Sequence, residues 1–359
     1  DRNFQVNFLD DKGTCGEAVL KVILAGEDPA ETSEFVEAQI AFMQHLHSDG
    51  FNCSYPIKGK TGRFVHKKTY SCDSSNDQEQ SRSIEKAECL VYALQYLPGP
   101  VLLDEPVGTE TLQDLGQLLA HMHLSLQNFS HPLMEEMPDD NIWCTENSLQ
   151  LRHYVTCIQN EEKASLVHSI INTFEDEILP VLSDLSKGVM WNDFHDENII
   201  IIKGADQQNS EGTSIPPKES FGLIDFGDIC YTSVIFDIAV AITYLMIDAK
   251  HVSYIKVPQY FLNGYYKIAG TFNHLFTSAS LHTGANYEEN CFISKELFNV
   301  LFVSICVRYC VSMVMGLYLA RNKPDNSDYL LCTEQGWPQL YEMWNMDRQD
   351  IYKIWSTVL

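Results

Sequence analysis

The chain has 359 residues, 45% of them hydrophobic and 11% aromatic, enough to bury a sizeable core and too apolar to stay disordered. Lys and Arg number 24 against 49 Asp and Glu, a net charge of −25, which argues against nucleic acid or an anionic membrane as partner. Eleven Cys residues without a Cys-x-x-Cys pair are the usage of a reducing compartment, here expected to be the cytoplasm, rather than a disulfide framework or a zinc site.

Residues 3–9, a turn at Asp10-Asp11-Lys12-Gly13 and residues 17–24 predict a β-hairpin. Because the chain starts on this strand without Met, it is expected to be N-terminally truncated. Residues 29–48 predict a helix with Phe35, Ile40, Met43 and Leu46 near one face and Gly50 just past its end. Lys21 on the second strand and Glu37 early on the helix are placed to pair, which would fix the ammonium where phosphate oxygens arrive; otherwise both are surface charges. Residues 71–85 are polar and read as an inserted loop. Residues 88–97 return to strand character and end at Pro98-Gly99-Pro100. That breaker divides residues 1–97, an N-terminal nucleotide-binding lobe, from residues 98–359, a C-terminal catalytic and substrate lobe. Gln95, Tyr96 and Leu97 form the expected hinge, whose backbone groups would meet a purine edge.

Residues 111–126 predict an amphipathic helix; its His121 and His123 have no acidic neighbour in sequence and read as packing or surface residues. Residues 149–182 read as helical and lead to Trp191-Asn192-Asp193-Phe194-His195-Asp196-Glu197-Asn198. A strand at 199–202, an inserted loop at 203–220 and a second strand at 221–224 then deliver Asp225-Phe226-Gly227-Asp228. An Asp with an Asn five residues on, followed by Asp-Phe-Gly after an apolar strand, is the layout of a phosphoryl-transfer site. Asp193 would take the proton of an acceptor hydroxyl, and Asn198 and Asp225 would supply hard oxygen ligands to Mg²⁺ on the nucleotide phosphates. Asp228 reads either as a second metal contact or as a cap on the turn after Gly227, and Asp237 as a residue that orients the catalytic loop.

Helices follow at 234–247, 258–269 and 297–320, with shorter ones around Tyr329 and at 337–355. The 297–320 run is long enough to cross a bilayer, but Asn299, Ser304 and Arg308 interrupt it and no basic flank anchors it, so a buried core helix is predicted. A guanidinium inside such a helix costs several kcal/mol unless paired. Arg308 therefore either forms an ion pair with an acid of the helical lobe or grips an acceptor carboxylate with its planar fork.

These motifs, with Asn3-Phe4, the hinge 91–99, Asn141-Ile142-Trp143, Cys306-Val307-Arg308-Tyr309-Cys310 and residues 328–337, resemble the aminoglycoside phosphotransferase and choline kinase superfamily over nearly the whole chain. The resemblance implies an α+β, protein-kinase-like two-lobe fold, with a small β-rich N-lobe and a large helical C-lobe. It implies a nucleotide-dependent kinase for a small amino-acid substrate, with Mg²⁺ and with GTP or ATP as donor; softer similarity in the helical lobe points to the branch acting on 5-hydroxy-L-lysine. Kinases for choline, ethanolamine or homoserine, and an inactive nucleotide-binding protein, are the alternatives. Two departures stand out. The superfamily has His-Gly before the catalytic Asp where this chain has Trp191-Asn192, which puts loop geometry in question because that His braces the loop. The helix that the superfamily carries before the first strand is also absent.

Overall fold

The structure, a computed structural model, describes residues 2–9, 13, 15–24, 32–73, 84–136, 141–202, 217–270, 275, 293–322 and 330–357. The small lobe contains β1 (Arg2–Leu9), β2 (Cys15–Leu24), α1 (Ser33–Ser48), β3 (Asn52–Cys53), β4 (Pro56–Ile57), β5 (His66–Asp73) and β6 (Ile84–Gln95). Its sheet is antiparallel, in the order β1-β2-β6-β4 with β5 also on β6. Thr32 starts α1: its hydroxyl accepts the Phe35 N–H at 3.2 Å, satisfying one of the free donors of the first turn. The helix buries Phe35, Val36, Phe42, Met43 and Leu46 against the sheet and the lobe below. The polar stretch expected as a loop from residue 71 instead begins and ends in strand. Ser71–Asp73 and Ile84–Glu85 extend the β5–β6 ladder, because backbone pairing does not require apolar side chains; residues 74–83 lie outside the described residues. Most of the 10–13 turn also lies outside them.

The large lobe carries α2 (Thr109–Leu126), α3 (Pro132–Glu136), α4 (Glu161–Thr173), β7 (Lys187–Met190), β8 (Ile199–Ile201), α5 (Pro217–Ser220), β9 (Phe221–Leu223), β10 (Cys230–Ser233), α6 (Val234–Ile247), α7 (Val257–Ala269), α8 (Lys295–Asn322), α9 (Leu331–Asn345) and α10 (Arg348–Ser356). The helix expected over 149–182 is broken into 3₁₀ turns, α4 and a π turn at Phe174–Ile178. Asn160 resets the chain by capping α4, its side chain accepting the Lys163 N–H at 2.9 Å. Asp347 likewise divides α9 from α10 by capping the latter through the Gln349 N–H at 2.7 Å.

The lobes are stitched at the catalytic strands. β8 and β9 form an antiparallel pair, and β3 of the small lobe adds to β9 in parallel. The hinge lies on β8, with the Ile201 N–H donating to Pro100 O at 2.9 Å and Val101 bridging to Ile200. Gly99 (φ 150°) permits this approach, because a Cβ there would stand 2.2 Å from Ile201 O.

α8 forms the core of the large lobe. It is long and apolar enough to cross a bilayer, but 94% of its most apolar window is buried inside the protein, against α4, α6, α9 and α10. α2 and α7 cross in direct backbone contact at Gly116 and Gly264: a Cβ on Gly116 would meet Phe261 O at 2.0 Å, and one on Gly264 would meet Gln113 O at 1.9 Å. No side chain fits between these backbones. Gly264→Ala must therefore push the helices apart, and it should cost about 1–3 kcal/mol or more by urea denaturation. An unchanged midpoint would show that the crossing relaxes freely.

Candidate active site

The catalytic loop runs from β7 to β8 and is held from below by a buried chain of hydrogen bonds. Asn192 adopts φ 61°, a left-handed conformation that Asn tolerates better than most side chains. This turn directs its N–H to Asp237 Oδ1 on α6 at 2.7 Å. Asp237 Oδ2 accepts the His123 Nε2–H at 2.8 Å, and His123 Nδ1 accepts the Tyr265 hydroxyl at 2.8 Å. All four residues are buried, so each polar group depends on the others. Asp237 is thus hydrogen-bonded to the backbone of the loop. His123 does have an acidic partner, contrary to the sequence expectation. The partner lies 114 residues away on another helix, so no local pattern could have shown it. His121 is half-buried and stands outside the network.

Trp191 occupies the position where the superfamily has His, and it still braces the loop. Its indole N–H donates to Asp225 O at 2.7 Å, tying the catalytic loop to the Asp-Phe-Gly segment. Phe226 packs on Trp191 (ring centroids 5.3 Å apart) and on Phe42 of α1 (5.6 Å), so the same segment is fixed to both lobes. Asp225 itself sits at φ 55°. This uncommon backbone turns its carboxylate to the Lys21 ammonium at 2.8 Å, while Oδ1 also accepts the Gly227 N–H at 3.2 Å.

The expected pairing of Lys21 with Glu37 does not form. Glu37 is exposed on the outer face of α1, whereas Gln39 is the buried polar residue on the inner face, 3.5 Å from the Tyr92 hydroxyl. The helix phase decides this: its apolar face buries 35, 36, 39, 42, 43 and 46, and leaves 37 outside. Lys21 is buried, which opposes its charge, but Tyr92, Asp225 and Asp228 outweigh burial and raise its pKa.

Asp193 is half-buried at the loop's apex. Asn198 Nδ2 donates to its Oδ2 at 2.6 Å and its carbonyl at 3.2 Å, and His195 Nε2 lies 3.6 Å from Oδ1. Burial opposes the Asp193 charge; His195, Arg308 and Asn198 outweigh it and hold the carboxyl below its ordinary value, ionised and able to accept a proton. The His195 pKa is raised: burial lowers it, and Asp193, Asp196 and Glu197 more than compensate. Asp228 is pushed up to about 7 by burial, with Asp193 and Asp225 adding like charge.

Arg308 is 2% exposed and has no carboxylate within 4.0 Å among the described residues, so the ion pair that was one of its two expected roles is not formed. Its Nη1 donates to Trp143 O at 2.5 Å and its Nη2 to the Tyr244 hydroxyl at 3.1 Å, while Nε has no partner among the described residues. The guanidinium lies over the Trp143 and Tyr244 rings at 5.7 and 5.3 Å. It thus acts on Asp193 and Asp228 only through space. Tyr244 and His195, whose rings are 5.2 Å apart, complete this end of the site; neither carries a motif letter that sequence reasoning could have used.

At the hinge, the Gln95 N–H is taken by Tyr55 O at 2.7 Å and the Tyr96 N–H reaches Glu17 O at 3.5 Å. The Leu97 N–H has no such partner among the described residues. Of the hinge N–H groups expected to meet a base edge, only that of Leu97 is therefore free to do so.

A profile described as the phosphotransferase enzyme family matches residues 1–253. The chain belongs to that family. Hydroxylysine kinase of Bos taurus is 27% identical to it over 360 residues, covering 99% of this chain and 85% of that protein. Hydroxylysine kinase of Danio rerio is 23% identical over 357 residues, covering 99% of this chain and 87% of that one. Among solved structures, a microcompartment-associated aminopropanol kinase superposes with a TM-score of 0.60 at 12% identity, over 99% of this chain and 92% of that one. An amicoumacin kinase in complex with AMP-PNP and Ca²⁺ gives 0.58 at 13% identity, over 99% and 87%. The fold is therefore kinase-like, and this member of the family is a phosphotransferase that carries phosphate to an alcohol group of a small molecule.

Two predictions follow from the loop. Trp191→Phe keeps the ring packing but leaves Asp225 O without its donor, so turnover should fall at least tenfold with little change in acceptor KM; near-normal turnover would remove Trp191 as the brace. Asp196, buried beside Asp248, is pushed up to about 7. A carboxyl of raised pKa binds its proton more tightly folded than unfolded, so its effect is to lower stability as pH rises from 3.8 towards 7, with no further change above. Asp196→Asn should therefore raise Tm by several degrees at pH 8, a gain that shrinks towards pH 4. A gain independent of pH would refute this.

Proposed function

We propose that the acceptor is the side-chain hydroxyl of 5-hydroxy-L-lysine and that the donor is a purine nucleoside triphosphate, GTP, with Mg²⁺. The observation that carries the acceptor class is Arg308, a buried guanidinium without a carboxylate within 4.0 Å among the described residues, which acts through space on the base Asp193. An amino acid brings a carboxylate to pair with Arg308 directly, whereas an amino alcohol does not. Arg308 has N–H groups left over after Trp143 and Tyr244, including Nε. A carboxylate is well matched to such a planar fork. The relatives named hydroxylysine kinase support the choice of hydroxylysine among amino acids.

The residues present fit a divalent cation. Among the described residues no three His, Cys, Asp or Glu side chains form a metal-binding group, so a closed all-protein cage is excluded there. An open site with one or two carboxylates, an amide oxygen and substrate phosphates is the arrangement Mg²⁺ favours. Asp225 and Asn198 would hold it, and Asp228, its carboxyl pushed up by burial and by neighbouring acids, would be available to them. When bound, the cation would neutralise phosphate charge during transfer.

The chain's own residues then divide the work. Lys21 is held by Asp225 at the phosphate end. Leu97 offers its N–H, and Gln95 its carbonyl, to the base. Asp193, ionised at neutral pH, orients the acceptor hydroxyl and takes its proton as the oxygen attacks the γ-phosphorus in line with the departing diphosphate. Asn198 keeps the Asp193 carboxylate aimed by donating to it.

Asp193→Asn should lower kcat by about 10²–10⁴-fold and leave nucleotide binding intact, the usual worth of a general base. Asp225→Ala should instead abolish metal-dependent nucleotide binding by calorimetry, and equal affinity in the two variants would contradict the division of roles. Arg308→Lys should raise the KM for hydroxylysine at least tenfold, leave the nucleotide KM nearly constant and narrow the preference over the decarboxylated analogue. A variant that merely melts earlier with unchanged selectivity would make Arg308 structural. GTP and ATP compared at equal low concentration decide the donor.

A further inference from the structure

Five of the 24 basic residues of this acidic chain cluster in one short stretch. Lys58, Lys60, Arg63, Lys67 and Lys68 fall within eleven residues, although the whole chain has only 24 Lys and Arg in 359, and residues 52–72 contain no Asp or Glu. The remainder of the chain carries −30. All five cations are exposed, and none has a carboxylate within 4.0 Å among the described residues. They sit on the turn joining β4 to β5 and on the first residues of β5.

Beside them is a groove of about 920 Å³ between that turn and the outer face of α1, and Asp193 is not among its lining residues. Arg63, His66 and Lys67 form one wall, and Ile40, Phe64 and Val65 supply an apolar floor. Lys58 extends over the other side of Phe64, 5.3 Å from its centroid. Glu37 is the one acid in the lining.

We propose that this groove docks an acidic peptide segment of a partner protein, one large apolar side chain entering over Phe64 and flanking carboxylates meeting Arg63, Lys67 and Lys60. Charge complementarity selects the occupant's sign, and the net charge selects its size. An RNA or an anionic bilayer spans more than the patch and is repelled by the surrounding −30. A short peptide lies within the Debye length of about 8 Å at physiological salt and feels mainly the local cations.

The test uses the full chain and fluorescence anisotropy with an array of nine-residue peptides. Their net charge runs from −4 to +4, each with Phe or Ala at the centre. Affinity should rise with negative charge, fall at least fivefold when the central Phe is Ala, and weaken at least tenfold between 50 and 300 mM salt. The triple variant Lys60→Glu/Arg63→Glu/Lys67→Glu should lose at least tenfold in affinity for the best peptide while its Tm and phosphotransferase turnover stay unchanged. Gln44→Trp, which fills the groove from α1 without changing charge, should weaken Phe-centred peptides more than Ala-centred ones. Affinity independent of peptide charge overturns the proposal, as does equal binding by the triple variant. Binding of an RNA oligonucleotide or of phosphatidylserine vesicles in preference to every acidic peptide overturns it as well.

Discussion

Everything at the catalytic centre is referred to one buried carboxylate. Asp237 receives the backbone N–H of Asn192 on one oxygen and the imidazole of His123 on the other. The residue that carries the catalytic aspartate's backbone is thereby fixed to α6, and through His123 and Tyr265 to the close crossing of α2 and α7. Removing a partner from such a network leaves a buried polar group unsatisfied, a penalty of about 1–3 kcal/mol. This is larger than most surface contacts contribute, and it explains how the loop holds a non-glycine residue, Asn192, in left-handed backbone. The indole of Trp191 then joins the loop to the Asp-Phe-Gly strand end, so that Asp193, Asn198, Asp225 and Lys21 stand in fixed relation.

The same centre is electrostatically frustrated by itself. Asp193, Asp225 and Asp228 crowd together in a chain that already carries −25, with Lys21 and Arg308 as the nearby cations. Such a centre attracts what it lacks. On the proposed reading, Mg²⁺ on the nucleotide phosphates would offset the acids at one end, and an acceptor bearing both ammonium and carboxylate would offset acid and guanidinium at the other.

The two motifs that carry chemistry were legible in the sequence because their spacing is local: Asp193 to Asn198 spans five residues and Asp225 closes a short strand. The apolar helices at 234–247 and 297–320 were legible to within about two residues, since their composition leaves few alternatives. What sequence could not show was long-range. The His123–Asp237 bond joins positions 114 apart, and the cradle of Arg308 comes from Trp143 and Tyr244, 165 and 64 residues away. Glu37 was misplaced by a smaller error. The pairing with Lys21 assumed that an acid early on α1 faces inward, but the helix begins at Ser33 and its phase turns Gln39 inside instead. Trp191-Asn192 read as a departure that threatened loop geometry; the structure shows an indole N–H and a turn-tolerant Asn serving the loop in their place.

On the proposed reading, this centre moves a phosphoryl group to the hydroxyl of an amino acid. The most direct measurement is ³¹P and ¹H NMR of 5-hydroxy-L-lysine incubated with the wild-type chain, MgCl₂ and GTP. A new phosphomonoester resonance coupled to the proton on C5 is expected, with stoichiometric GDP, and no such product from lysine. GTP turnover without a phosphomonoester, or phosphorylation of choline or ethanolamine in preference to hydroxylysine, would contradict it.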